Sequence, residues 1–140
     1  HTFTRELDTK AFAEDFARTC TPGTILCLYG ELGAGKTTFV RGLAKGLGIK
    51  GRIQSPTYTY QRVYSGKKKL YHFDCYRLEG NPDTLLAHDL HEAVSRRDGI
   101  IAIEWAEKME AVLAHFHVQR INIDFKHIDD TTRTITIKNI

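Results

Sequence analysis

Gly30-Glu-Leu-Gly-Ala-Gly-Lys-Thr37 satisfies the pattern GxxxxGK[ST] in full. A loop of this kind wraps successive backbone N–H groups around an oxyanion, and the usual one is a nucleotide's phosphate chain. Gly30, Gly33 and Gly35 permit torsions and close approaches that a Cβ would block, and the backbones of Glu31, Leu32 and Ala34 complete the cradle. A helix starting directly after the loop points its positive end at the same anion. Lys36 can then reach the β- and γ-phosphates, the Thr37 hydroxyl can enter a Mg²⁺ shell, and Thr38 is placed for the α-phosphate. In a chain of 140 residues, average composition gives a chance match a probability of roughly 0.5%. A Gly-rich turn with a solvated lysine therefore explains the segment poorly.

Such a site also needs an acid near the metal, and in P-loop proteins that acid ends an apolar strand. Gly99-Ile-Ile-Ala-Ile-Glu104 is the only apolar run ending in a carboxylate. Asp is the usual residue; Glu104 is one methylene longer, so it can act through a water or orient the attacking one. The alternative is that it merely leaves the strand into solvent. Asp74, in HFDCYR, is the second candidate acid, with a buried ion pair to Arg77 as its alternative. Thr57, in Gln-Ser-Pro-Thr-Tyr, lies where a loop could cross back over the γ-phosphate and offer the metal a hydroxyl. Lys36, Glu104 and Asp74 are thus the candidate catalytic residues; Thr37, Thr57, Asp74 and Glu104 are the candidate metal ligands.

The hydrophobic pattern supplies elements to position them. Phe12, Ala13, Phe16, Ala17 and Cys20 recur at helical spacing, with Asp8 or Thr9 as N-cap, until Thr21-Pro-Gly23 breaks the helix. Thr24 to Tyr29 reads as a buried strand leading into the glycine loop. Phe39, Val40, Leu43, Ala44 and Leu47 mark the helix leading out, stopped by Gly48. Thr57 to Tyr64 and Lys69 to Tyr76, separated by Ser65-Gly-Lys-Lys68, predict an antiparallel hairpin. Asn81-Pro-Asp83 opens a helix to about Arg97, Ile100 to Trp105 is a second buried strand, and Ala106 to about Phe116 a short helix. The tail alternates with period two on either side of Ile128-Asp-Asp130 and predicts a closing hairpin. The fold class expected is α/β: a P-loop NTPase-type mixed sheet flanked by helices, with β-hairpins inserted and at the C-terminus.

Length suits one compact domain over residues 1–140. The first residue is His1, which predicts that a few N-terminal residues are missing or processed. A formal charge of +3 permits contact with nucleic acid without arguing for it. Cys20, Cys27 and Cys75 are scattered and form no CxxC pair, which fits reduced thiols. No apolar run approaches the eighteen or so residues needed to cross a bilayer, and the start shows no signal-peptide pattern. A soluble, cytoplasmic protein with no membrane partner is expected.

Taken in order, GELGAGKTT at 30–38, SPTY at 55–58, HFDCYR at 72–77 and IEWAEK at 103–108 closely resemble the bacterial TsaE family. The resemblance covers about residues 3 to 110, and the SPTY, HxDxYR and IEW set makes it specific. It implies a small P-loop ATPase of tRNA threonylcarbamoyladenosine biosynthesis. Such a protein binds ATP with Mg²⁺, hydrolyses it weakly alone, and works with a TsaB–TsaD pair that modifies adenosine 37 of tRNA. By the same resemblance Lys36 and Thr37 are phosphate and Mg²⁺ ligands, Thr57 is a switch threonine, and Asp74 and Glu104 are acids near the metal and the attacking water. Trp105 matches the family's tryptophan, though an aromatic core anchor is an equally good reading. The stretch from Leu85 to Gly99 diverges.

Two other activities stay open on the residues alone. A small-molecule kinase would need an acceptor pocket and cations over the transferring phosphate, for which Arg96 and Arg97 are the only paired arginines. A non-hydrolysing module would use the nucleotide only to fix its shape. No [NT]KxD-type guanine-reading motif appears, which favours ATP. The seven histidines lack cysteine or carboxylate partners at zinc-site spacing, and Lys67-Lys-Lys69 at a hairpin tip either solvates a turn or touches tRNA or an acidic partner.

Overall fold

The computed structural model describes residues 1–31, 33–54 and 60–139. Its centre is set by the two apolar runs, which form β2 (Ile25–Tyr29) and β5 (Gly99–Glu104) and pair in parallel. Both are apolar on both sides because helices cover both faces of the sheet. Leu26 and Leu28 point into one core, while Ile25 and Cys27 point into the other.

Around that pair the sheet grows to seven strands in the order β1-β7-β6-β2-β5-β4-β3. The outer strands are β1 (Thr2–Phe3), β3 (Gln61–Tyr64), β4 (Lys69–Asp74), β6 (Arg120–His127) and β7 (Arg133–Asn139). The predicted hairpins are both present, as antiparallel pairs β3–β4 and β6–β7. They are not appendages, however. β4 also pairs in parallel with β5, and β6 in parallel with β2, so each hairpin extends the central sheet. Period-two patterning reveals a strand but not its second neighbour. Residues 57–59 of the first hairpin lie outside the described residues.

Helices α1 (Glu6–Thr19) and α2 (Lys36–Gly46) cover one face. Their approach depends on small residues. A Cβ on Gly42 would lie 2.4 Å from the Lys10 carbonyl oxygen and 2.6 Å from Ala13 Cβ; one on Gly46 would lie 2.3 Å from the Glu14 oxygen. The other face carries α3 (Thr84–Arg96), then a 3-10 turn at Ala106–Met109 and the one-turn helix α4 (Glu110–Leu113). Asp83 caps α3 by accepting from the Leu86 amide at 2.8 Å.

Neither Asp8 nor Thr9 caps α1. That helix begins at Glu6 after an extended Arg5, whose guanidinium binds both Asp8 oxygens at 2.8 Å. Asp8 sits in the first turn as an ion-pair partner, where a carboxylate also suits the helix dipole. All three cysteines are buried and unbridged. Among the described residues no helix is long and apolar enough to cross a membrane.

Candidate nucleotide site

Period two places the site before any contact is considered. Leu70, Ala102 and Ile100 belong to the core under α1 and α2. His72, Asp74 and Glu104 follow the same alternation and therefore face α2. Asp74 and Glu104 are register partners at the ends of β4 and β5. That pairing brings both predicted acids to the end of the sheet from which the glycine loop leaves β2.

The loop needs its glycines for stated reasons at two positions. Gly30 has φ +146°, and a Cβ there would lie 2.6 Å from the Phe125 carbonyl oxygen. Gly35 has φ +105° and serves as the N-cap of α2 without any side-chain cap. The first amides of α2 thus have no capping side chain, the condition for anion binding at a helix start. Ala34 is buried, and its amide closes the turn on the Glu31 carbonyl at 3.1 Å. Leu32 and Thr57 lie outside the described residues.

Lys36 is only 4% exposed. Its ammonium donates to the carbonyls of Gly30 and, at 3.4 Å, of Glu31. It also lies 3.7 Å from the centre of the Trp105 ring, a cation–π contact. Burial pulls the Lys36 pKa below its usual value, against the pull of Glu104, Glu107 and Asp74. Trp105 occupies this position because its backbone is left-handed, at φ 58°. Such a conformation costs a non-glycine residue about 1–2 kcal/mol. The turn swings the chain out of β5 and lays the ring over the loop, with Tyr76 against it at 5.1 Å.

Glu104 is 3% exposed. It does not leave into solvent: one carboxylate oxygen faces the Thr37 hydroxyl at 3.4 Å and the other the His72 ring at 2.7 Å. Asp74 accepts from the Tyr76 amide at 3.0 Å, and no ion pair joins it to Arg77 among the described residues. Burial pushes the Asp74 pKa up, and the neighbouring Glu104 adds to the effect. Thr38 is engaged: its hydroxyl donates to Glu6 at 2.7 Å, across from α1.

Three residues of the site were given no role by the sequence reading. His72 stands two places before Asp74 in HFDCYR, and period two alone puts it on the same face. Arg133 of β7 donates to the Gly33 carbonyl at 3.0 Å, and Glu6 reaches in from α1. A cleft of about 450 Å³ opens beside the loop, lined by Gly33, Gly35, Thr37, Thr38, Glu6 and Arg133 among others. Of the histidines outside the site, His88 faces Glu92 at 3.3 Å and His91 packs on Phe116.

A parallel strand, a glycine loop, a helix opened by Lys-Thr and an acid closing the adjacent strand define the class. This is an α/β domain of the P-loop type. The family described as "Threonylcarbamoyl adenosine biosynthesis protein TsaE" matches residues 3–135. Over 130 residues the chain is 39% identical to the tRNA threonylcarbamoyladenosine biosynthesis protein TsaE of Bacillus subtilis, covering 92% of this chain and 78% of that one. It is 38% identical over 130 residues to the TsaE protein of Treponema pallidum, covering 93% of each. A crystal structure of Bacillus subtilis YdiB matches with a TM-score of 0.78 and 35% identity, covering 100% of this chain and 84% of that one. The chain belongs to the TsaE family.

Proposed function

We propose that this chain binds ATP with Mg²⁺, hydrolyses it slowly on its own, and serves tRNA threonylcarbamoyladenosine biosynthesis by acting on a TsaB–TsaD-like protein pair. Contact with tRNA then comes through that complex. The observation that carries the reading is the buried Lys36 ammonium, held at the glycine loop by two carbonyls and the Trp105 face rather than by a carboxylate. Glu104, Glu107 and Asp74 offset the desolvation of this cation only in part, and a ligand's anion in direct contact would complete the compensation.

The donor set fits the group. The α2 start and Lys36 are anion-binding elements, and Thr37 with Glu104 offers a hard-oxygen pair suited to Mg²⁺. Thr37 and Glu104 would hold the metal, with Asp74 beside them and Thr57 as a further candidate. Bound there, Mg²⁺ supplies charge neutralisation on the β- and γ-phosphate oxygens. Lys36 turns its donors from the carbonyls to those oxygens. Glu104 and Asp74 orient the attacking water and receive its proton. Trp105 and Tyr76 cover the reacting end of the loop and limit stray water.

The test is ATP hydrolysis by the purified chain in Mg²⁺, alone and with the cognate pair. A slow basal rate that rises sharply with the pair is expected. Glu104→Gln should lower the stimulated rate by about 10²–10⁴-fold and weaken ATP binding only in the presence of Mg²⁺, leaving the Mg²⁺-free affinity within a few-fold. ATP binding with no response to the pair sinks the coupling, and phosphoryl transfer to a small acceptor would replace it with a kinase.

A further inference from the structure

A glutamate at the metal-side position has one more rotatable bond than the usual aspartate, so something must hold it in place. The site contains that holder. His72 is fully buried on β4, and its Nε2 lies 2.7 Å from Glu104 Oε2 across the strand pair. A carboxylate offers only acceptors, so Nε2 is the donor. Ala102 is the register partner of His72, and its small side chain leaves the room the imidazole needs to reach diagonally toward Glu104. The pairing fixes Oε2 and leaves Oε1 as the oxygen that faces Thr37 Oγ1 at 3.4 Å. Nδ1 makes no hydrogen bond among the described residues, so the bond through Nε2 is the ring's one hydrogen bond among them.

We infer that His72 is a positioning residue: it fixes Glu104 so that Oε1 and the Thr37 hydroxyl present a ready oxygen pair to the metal-bound nucleotide. The inference rests on the nucleotide reading above and names a residue which that reading does not use. A histidine behind a carboxylate is the converse of the carboxylate commonly found behind a metal-bound histidine. Removing such outer partners typically costs about 10–100-fold in metal affinity or activity.

The experiment compares wild type, His72→Ala, His72→Gln and His72→Asn. For each, ADP and ATP affinity is titrated with and without Mg²⁺, kcat and KM are measured with the partner pair, and the thermal midpoint is recorded. His72→Ala should weaken Mg²⁺-dependent nucleotide affinity, with a matching rise in KM for ATP, and lower kcat by about 10–100-fold, while affinity without Mg²⁺ changes by less than about 3-fold. Gln can place an amide N–H near the Nε2 position and should recover most of the loss. The Asn amide reaches only the Nδ1 position and should not.

Equal defects in Ala and Gln, tracking a common drop in thermal midpoint, would make His72 a packing residue and overturn the inference. So would an Ala variant indistinguishable from wild type. A wild-type chain that binds no ATP overturns the nucleotide reading and this role with it; a wild type that binds while Ala matches it overturns this role alone.

Discussion

Two charged clusters stand on opposite faces of the same sheet, and they behave in opposite ways. On the α3–α4 face, Arg120 donates to Glu110 at 2.7 and 3.1 Å and to the Tyr29 hydroxyl at 2.8 Å. Each group pushes the other toward its charged form: Arg120 lowers the Glu110 pKa below the usual carboxylate value, and Glu110 raises that of Arg120. On the α1–α2 face the shifts run against charge. Burial lowers Lys36 and raises Asp74, and their neighbours do not fully offset it. The first cluster is closed by its own partners, as a structural ion pair is. The second holds desolvated charges whose neighbours offset burial only in part, the pattern expected where a ligand completes the electrostatics.

The contrast can be broken most directly at Lys36. Lys36→Ala should weaken ATP binding by about 3 kcal/mol, on the order of 100-fold, and leave the thermal midpoint unchanged or higher. Titration calorimetry with a parallel melt reads both, and an unaltered affinity would remove the distinction between the clusters.

A smaller effect of opposite sign is expected at the two carboxylates. Asp74 binds its proton more tightly in the folded protein, so its contribution to stability is fully present below the ordinary carboxylate value of 3.8. That contribution is lost as pH rises through the raised folded value. At neutral pH the group is therefore a liability, and Asp74→Asn should raise stability by up to about 1 kcal/mol while impairing hydrolysis. A neutral-pH melt that shows a loss would contradict the raised value.

Glu110 gives the smallest change. Its depressed value contributes stability above the ordinary 4.5 that is lost as pH falls through the folded value. Glu110→Gln should cost about 0.5 kcal/mol at pH 7, because the carboxylate is largely exposed. The difference from wild type should vanish in acid; a gap that persists there would mean that packing, not charge, holds the contact.

How much of this was legible beforehand varies residue by residue. Gly30 to Thr38, Asp74 and Glu104 announced themselves through a loop pattern, an apolar run ending in a carboxylate, and motif resemblance. The Asp8 or Thr9 cap failed because the helix begins already at Glu6, which places both residues inside it, where Asp8 pairs with Arg5. His72 was quoted within its segment but given no role, since a histidine on a strand has meaning only when its cross-strand neighbour is known.

The sequence by itself determined the glycine loop, the two apolar strands flanking the chemistry and the family, because these depend on spacing along the chain and on local backbone freedom. Only the tertiary structure decided that β4 pairs with β5 and so sets Asp74 beside Glu104. It also decided that Trp105 lies over Lys36, and that Glu6 and Arg133, 30 and 97 residues from Lys36 in the sequence, close around the same loop. The physical reason is that sheet register and helix docking are settled by burying apolar surface across the whole chain, and polar side chains meet where that packing carries them.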